Sequence, residues 1–355
     1  MGAPLSPDVR FDAALQSLLD EAVSWITARV APPFALLLLG SAAQGEACGV
    51  EIEGRLDALS DLDLGLFIEG PAGEAVRRPL AEGLRAAVRG QVAELGLTRD
   101  PIDLGLFSLP YQRRVPPTLE LMEAFHRPHL LAGDRGLIEL AIPPRPAPFE
   151  AWRLVMNRIV ETDGKLPAGW GPMPAWRDAY RWAKLPVDLG KAELAAAGIL
   201  EPSIAAREPD AWTTWRLSPT WPPPTASAAD CAARAAGVLQ AVGGEMAPGE
   251  ARYWRAILGA EGGPWRERLR RWREVTRAGG RRVALRWGGR AWPASFAKMG
   301  FALAWMQEAG ASVGDPDQLR AFLATEIGPL VGFTEGSALE LARAFVRRVH
   351  EAGLG

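Results

Sequence analysis

The chain is short of cysteine: Cys48 and Cys231 are the only two in 355 residues. They stand in unrelated contexts without metal or redox spacing, which excludes a disulfide framework and makes a reducing compartment the default. Charge of one sign is missing too. The formal net charge is −2, so no global field recommends a nucleic-acid or membrane partner. Long hydrophobic runs are absent; FALLLLG, residues 34–40, is far too short to span a bilayer. The first residues, MGAPLSPDVRFDAALQ, lack the basic region and apolar core of a signal peptide. A soluble cytoplasmic protein is therefore expected. No solenoid repeat is found.

What is present is apolar material, 48% of the chain, enough for two ordinary domains or one large one. Ser6 and Pro7 predict the cap and first turn of a helix over about 7–30, with Phe11, Leu15, Leu18, Leu19 and Ile26 at helical spacing. FALLLLGS then reads as a buried strand running into a turn. DLDLGLFI from Asp61 predicts a second strand, residues 73–95 a helix, and IDLGLFSL from Ile102 a third strand. This order implies a mixed sheet. A helix is expected over TLELMEAFH from Thr118, after which HLLAGDRGLIEL leads out of the domain.

Four prolines between Pro143 and Pro148 mark a linker. Beyond it strand signals almost vanish. Helices are expected over 149–163, 174–199, 227–242, 249–260, 264–278, 294–310, 316–326 and 337–352, with Pro186 kinking or splitting the second. The expected class is α+β: a mixed-sheet domain over 1–142, a Pro-rich linker over 143–148, and an all-α domain over 149–355.

The pentapeptide DLGLF occurs twice, at Asp63 and at Asp103. Residues i and i+2 share a strand face. Asp61, Asp63, Gly65 and Phe67 thus line one side of their strand, with Leu62, Leu64, Leu66 and Ile68 on the other. Asp103, Gly105 and Phe107 oppose Ile102, Leu104 and Leu106 in the same way. If the strands are neighbours in register, three carboxylates share one patch. At roughly 5 Å and an effective dielectric near 20, each like-charged pair costs about 3 kcal/mol. Protons or a cation would relieve that cost, and all-oxygen ligands favour Mg²⁺, which shares phosphate oxygens. Upstream, Gly40 lets the backbone approach a phosphate and Ser41 offers a hydroxyl and an N–H, with a helix expected from Ala42 onward. Phe67 and Phe107 are expected to pack in the core.

A strand ending in Gly-Ser, a strand with Asp-x-Asp and a third strand carrying one Asp, in that order, resemble the polymerase-β-type nucleotidyltransferase superfamily. The resemblance covers roughly residues 34–110. Nineteen residues separate Ser41 from Asp61, more than the family's usual gap; the extra CGVEIEGRLDA reads as a hairpin or loop insertion. The resemblance implies that Asp61, Asp63 and Asp103 ligate Mg²⁺ (or Mn²⁺), that Asp103 takes the acceptor hydroxyl's proton, and that Gly40 and Ser41 hold the triphosphate. The implied reaction moves a nucleoside monophosphate from an NTP, ATP being the first expectation, to an acceptor with release of pyrophosphate.

In the helical half, RDAYRWAKLPVDLGKAELAAAGILEPS resembles a helix of the HEPN-type domains that follow small bacterial nucleotidyltransferases, through Tyr180, Lys184, Asp188, Lys191 and Gly198. Lys184 and Lys191 lie seven apart on one helix face. By that resemblance they would reach the triphosphate; solvated surface lysines are the plainer reading. Arg343 and His350 loosely fit the Arg/His ribonuclease motif of some HEPN domains, but basic residues set against the dipole of a helix end are the plainer reading. Residues 264–290 carry ten arginines among Trp265, Trp272 and Trp287, a solvated helix face or an anion-binding one. Partners are then an NTP and an acceptor (small molecule, glycan or protein), with no nucleic acid or membrane expected. An aminoglycoside adenylyltransferase and a non-catalytic nucleotide-binding or antitoxin-like module are the rival readings.

Overall fold

The computed structural model describes residues 4–70, 74–97, 100–113, 118–163, 175–243, 293–313, 315–326, 328, 332 and 335–351. The protein is α+β with a mixed four-stranded sheet. By its own contacts the chain divides into two compact units. One comprises Met1–Pro146 with Leu200–Pro224, the other Ala147–Ile199 with Thr225–Gly355. The segment 200–224, grouped with the helical half from sequence, belongs by contacts to the N-terminal unit. Among the described residues no helix is long and apolar enough to cross a membrane.

The first unit opens with α1, Val9–Thr27, and all five apolar residues named from its spacing are buried. Its cap is Asp8 rather than Ser6: the Asp8 carboxylate accepts from the Phe11 N–H. Ser6 instead accepts from the Asp8 N–H, and Asp12 receives the N–H groups of Leu5 and Ser6, so the cap is built by acids reaching back over the incoming chain. Then follow β1 (Phe34–Leu39), the single turn α2 (Gly40–Ala43), a hairpin of β2 (Gly49–Ile52) and β3 (Arg55–Ala58), β4 (Leu62–Ile68), α3 (Glu74–Glu94), β5 (Ile102–Ser108), α4 (Leu109–Gln112), α5 (Leu119–Ala124) and β6 (His129–Gly133).

The sheet order is β5-β4-β1-β6; β4 and β5 are parallel, and β1 is antiparallel to both β4 and β6. The fourth strand corrects the sequence reading, which took HLLAGDRGLIEL as an exit from the domain. β6 is a partly exposed edge strand without apolar alternation, so it carries no local signal. Gly133 at φ 86 lies against the Phe34 carbonyl, where a Cβ would overlap it.

Each sheet face has its own core. Leu36, Leu38, Leu62, Leu64, Leu66, Ile102 and Leu104 pack with α1 and with Leu84, Val88 and Val92 of α3. Ala35, Leu37, Leu39 and Phe67 pack with Phe125 and Leu137 on the opposite face. The insertion expected between Ser41 and Asp61 is the β2–β3 hairpin, closed by Glu53 (φ 53) and Gly54 (φ 77), the left-handed pair that matches strand twist. Its Leu56 and Ala58 join the helix-side core. A Cβ on Gly49 would stand 2.8 Å from the Phe11 ring.

The described second unit holds α6 (Pro148–Asp163), α7 (Ala175–Ala196), α9 (Ala228–Gly243) and helices Pro293–Glu308, Pro316–Glu326 and Ala338–Glu351. These lie where the periodicity predicts. α7 runs on through Pro186 rather than splitting there. The Pro293–Glu308 helix buries Ala297, Met299, Phe301, Ala302, Leu303, Ala304, Trp305 and Met306, and so is apolar nearly all round. It packs against α6, α9 and the Ala338–Glu351 helix, as a central helix must. The segment returning to the first unit carries α8, Ala211–Leu217, which the sequence reading missed. Expected helices over 249–260 and 264–278 lie outside the described residues.

Candidate functional site

The two DLGLF runs lie side by side, residue for residue. β4 and β5 pair in parallel with Asp63 opposite Asp103, Gly65 opposite Gly105 and Phe67 opposite Phe107. Asp63 is also the cross-strand partner of Leu39, the last residue of β1. The next residue, Gly40, has φ 66, and a Cβ there would run into the Asp63 carboxylate. Both facts require glycine: the conformation is left-handed, and the carboxylate lies against the bare backbone. The strand end with Gly-Ser and the Asp-x-Asp strand are thereby brought together.

Asp61 stands just ahead of β4, two residues before Asp63, and is half-buried like Asp63; Asp103 is exposed on the edge strand. The donor chemistry, carboxylate oxygens alone, is that of a hard divalent cation. Among the described residues, however, no group of three or more His, Cys, Asp or Glu side chains is placed to hold a metal ion. The structure thus pairs Asp63 with Asp103 and leaves Asp61 at the strand's entrance.

The glycines of the repeated motif have a packing reason. A Cβ at Gly105 would stand 2.9 Å from Cε2 of Phe107, and one at Gly65 would stand 2.9 Å from Leu39 and 3.1 Å from Phe67. The missing side chains let each phenyl ring fold back along its own strand. The rings stack at 4.8 Å with 10° between planes, and Phe125 meets both edge-on. Phe67 is fully buried, so core packing accounts for it.

The helix expected from Ala42 is a single turn beginning at Gly40. So short a turn sums few peptide dipoles, and the helix-dipole argument for a phosphate site loses its basis. The Ser41 carbonyl accepts from the N–H groups of Gln44 and Glu46, which fixes the bend after β1.

Sequence reasoning missed a buried polar network behind these segments. The Glu46 carboxylate, 6% exposed, accepts from the Ser203 hydroxyl and from the N–H groups of Ile204 (2.9 Å) and Ala205 (3.1 Å). Arg216 of α8, 7% exposed, donates from Nη1 to the Cys48 sulfur and from Nη2 to the Ser60 hydroxyl at 3.0 Å. An isolated arginine in a tryptophan-rich loop region gave no signal of this. His129 pairs with Leu38, whose side chain joins the helix-side core, so the register puts it on the face opposite Asp63.

Lys184 and Lys191 lie on α7 in the second unit. Lys191 Nζ is 3.8 Å from Asp188, whose carboxylate also pairs with Arg158. Burial works against the Arg158 charge, but Asp188, Glu161 and Tyr180 outweigh it and hold its pKa above the ordinary value. Arg343 donates to Asp163 at 3.2 Å and lies over the Phe301 ring, which gives it a structural role. The arginine-rich stretch 264–290 lies outside the described residues. No protein-family model, curated protein or solved structure matches the chain.

Proposed function

We propose that the protein is a metal-dependent nucleotidyltransferase that moves a nucleoside monophosphate from an NTP to an acceptor hydroxyl and releases pyrophosphate. The observation that carries this reading is the register of Asp63 against Asp103, at the sheet end where β1 gives way to Gly40 and Ser41. Two like charges set opposite each other in a strand pair destabilise it, and a shared cation would reverse that effect.

Asp63 and Asp103, paired across the strands, would hold Mg²⁺, which supplies charge neutralisation at the phosphates; Asp61, not grouped with them in this structure, would join as a ligand only on binding. The chain's own groups do the rest. Gly40, without a Cβ, lets the Asp63 carboxylate lie against the bend, and the Ser41 hydroxyl and N–H would orient the triphosphate beside it. Asp103, exposed at the sheet edge, is open to an incoming acceptor and takes the proton of its hydroxyl. The α-phosphate is attacked, the α–β linkage breaks, and pyrophosphate carries away the bonding electron pair.

Incubation with α-³²P-labelled NTPs and a cell extract should label an acceptor, and γ-labelled NTPs should not. Asp103→Ala should lower the labelling by about 10³-fold, since a general base and a ligand are lost together. Label transferred from the γ position would mean kinase chemistry. NTP binding with no label from either position would favour a regulatory module.

A further inference from the structure

We propose that Arg216 is a positioning residue for the Asp61–Asp63 pair, acting through Ser60 and Cys48; this rests on the nucleotidyltransferase reading of those acids. Ser60 is the residue immediately before Asp61. Its hydroxyl accepts from the Cys48 N–H at 3.0 Å and from Arg216 Nη2 at 3.0 Å, and donates to the Cys48 sulfur at 3.7 Å. That uses its one proton and both lone pairs. The Cys48 carbonyl in turn accepts from the N–H groups of Leu59 and Ser60, each at 3.0 Å. The turn into β4 is therefore tied to Cys48 through four hydrogen bonds, and the guanidinium bridges the hydroxyl and the sulfur from behind.

Arg216 comes from a segment 156 residues further along the chain. That segment is held in place independently. Glu46 receives Ser203, Ile204 and Ala205; the Asp210 carboxylate caps α8 through the N–H groups of Trp212 and Thr213; and the Trp215 indole donates to the Thr220 carbonyl at 3.0 Å. Glu46 also donates its own N–H to the Ser41 carbonyl at 2.9 Å. The returning segment thus braces both halves of the site, the Gly40-Ser41 bend through Glu46 and the Asp61–Asp63 turn through Arg216. A buried guanidinium carries a large desolvation cost that an aliphatic side chain of similar length would avoid. Its two aimed donors therefore argue for placement of the turn rather than for filling space.

The test uses the full chain and three variants: Arg216→Met, Arg216→Lys, and Leu84→Ala, which opens the α3 core of the same unit. Hydrogen exchange is followed across β1 to β5, and binding of α,β-methylene-ATP with Mg²⁺ is titrated well below every melting temperature. Arg216→Met should speed exchange of the 59–63 amides about tenfold over the rest of the unit and weaken nucleotide binding about tenfold. Arg216→Lys, keeping one donor to Ser60 or Cys48, should recover part of both. Leu84→Ala should lose stability without either local change. Wild-type protection of 59–63 in both arginine variants, or loosening spread over the unit as in Leu84→Ala, would overturn the proposal. So would local loosening with undiminished nucleotide affinity. Local loosening in a protein whose wild type binds no nucleotide would uphold the brace and sink the nucleotidyltransferase reading instead. If Arg216→Met does not fold, the lysine variant carries the same comparison.

Discussion

Two places in the molecule bring charges together, and they do so in opposite ways. In the first unit Asp63 and Asp103 are like charges held side by side at a sheet end, one half-buried and the other exposed. In the second unit Arg158 and Asp188 are opposite charges between α6 and α7, with side chains only 14% and 5% exposed. Glu161 and Lys191 add one further charge of each sign. The second cluster compensates itself. The first sets two like charges opposite each other across a strand pair, one of them open to solvent. A buried cluster of opposite charges speaks for architecture, and two like charges paired near solvent speak for chemistry.

The widest separation of the two should come from Asp188→Asn. It leaves the Arg158 guanidinium buried beside Lys191 without its main counter-charge, a loss of about 3 kcal/mol. A melting temperature lowered by roughly 10 °C is expected, and Arg158→Met with Asp188→Leu should recover most of it. A variant melting within a degree of wild type would show that the pair is not structural.

The acid pair should respond with the opposite sign. Without ligand, Asp103→Asn removes the exposed member of two like charges paired across β4 and β5, so stability should rise by about 0.5 kcal/mol in urea denaturation at low salt. The gain should shrink as salt screens the repulsion. A loss of stability instead would mean that Asp103 serves the fold, and the contrast between the two clusters would be lost.

A smaller effect belongs to Cys231 on α9. Burial, reinforced by Asp230 and opposed by Arg234, pushes its thiol up to about 11. The folded state thus holds its proton where the unfolded chain releases it. The contribution is fully present below the ordinary thiol range and is lost as pH rises through it toward about 11. Stability should fall with pH more steeply in wild type than in Cys231→Ala over that window. Parallel curves would show that the thiol is not held protonated by its surroundings.

Part of this was written locally. The five apolar positions of α1, the faces of the two DLGLF strands, the inserted hairpin and the helices of the second unit follow from periodicity and turn chemistry, which depend on residues a few positions apart. The repeated motif and the Gly40-Ser41 bend also stood in the sequence, so the candidate site could be named from it. Tertiary structure decided what those strings meant together. That β4 and β5 are parallel neighbours, so that Asp63 faces Asp103, is a matter of pairing and not of either strand alone. β6 is a strand because β1 offers it an edge, not because HLLAG alternates. α7 passes through Pro186 because packing against α6 and α9 outweighs the backbone bond that proline removes. Arg216 became part of the site only when residues 200–224 came back to Cys48 across 168 positions of chain. Local stereochemistry fixes the faces of a helix or strand. The partner each face meets is decided by burial and hydrogen bonding summed over the whole fold, and no short stretch of sequence contains that sum.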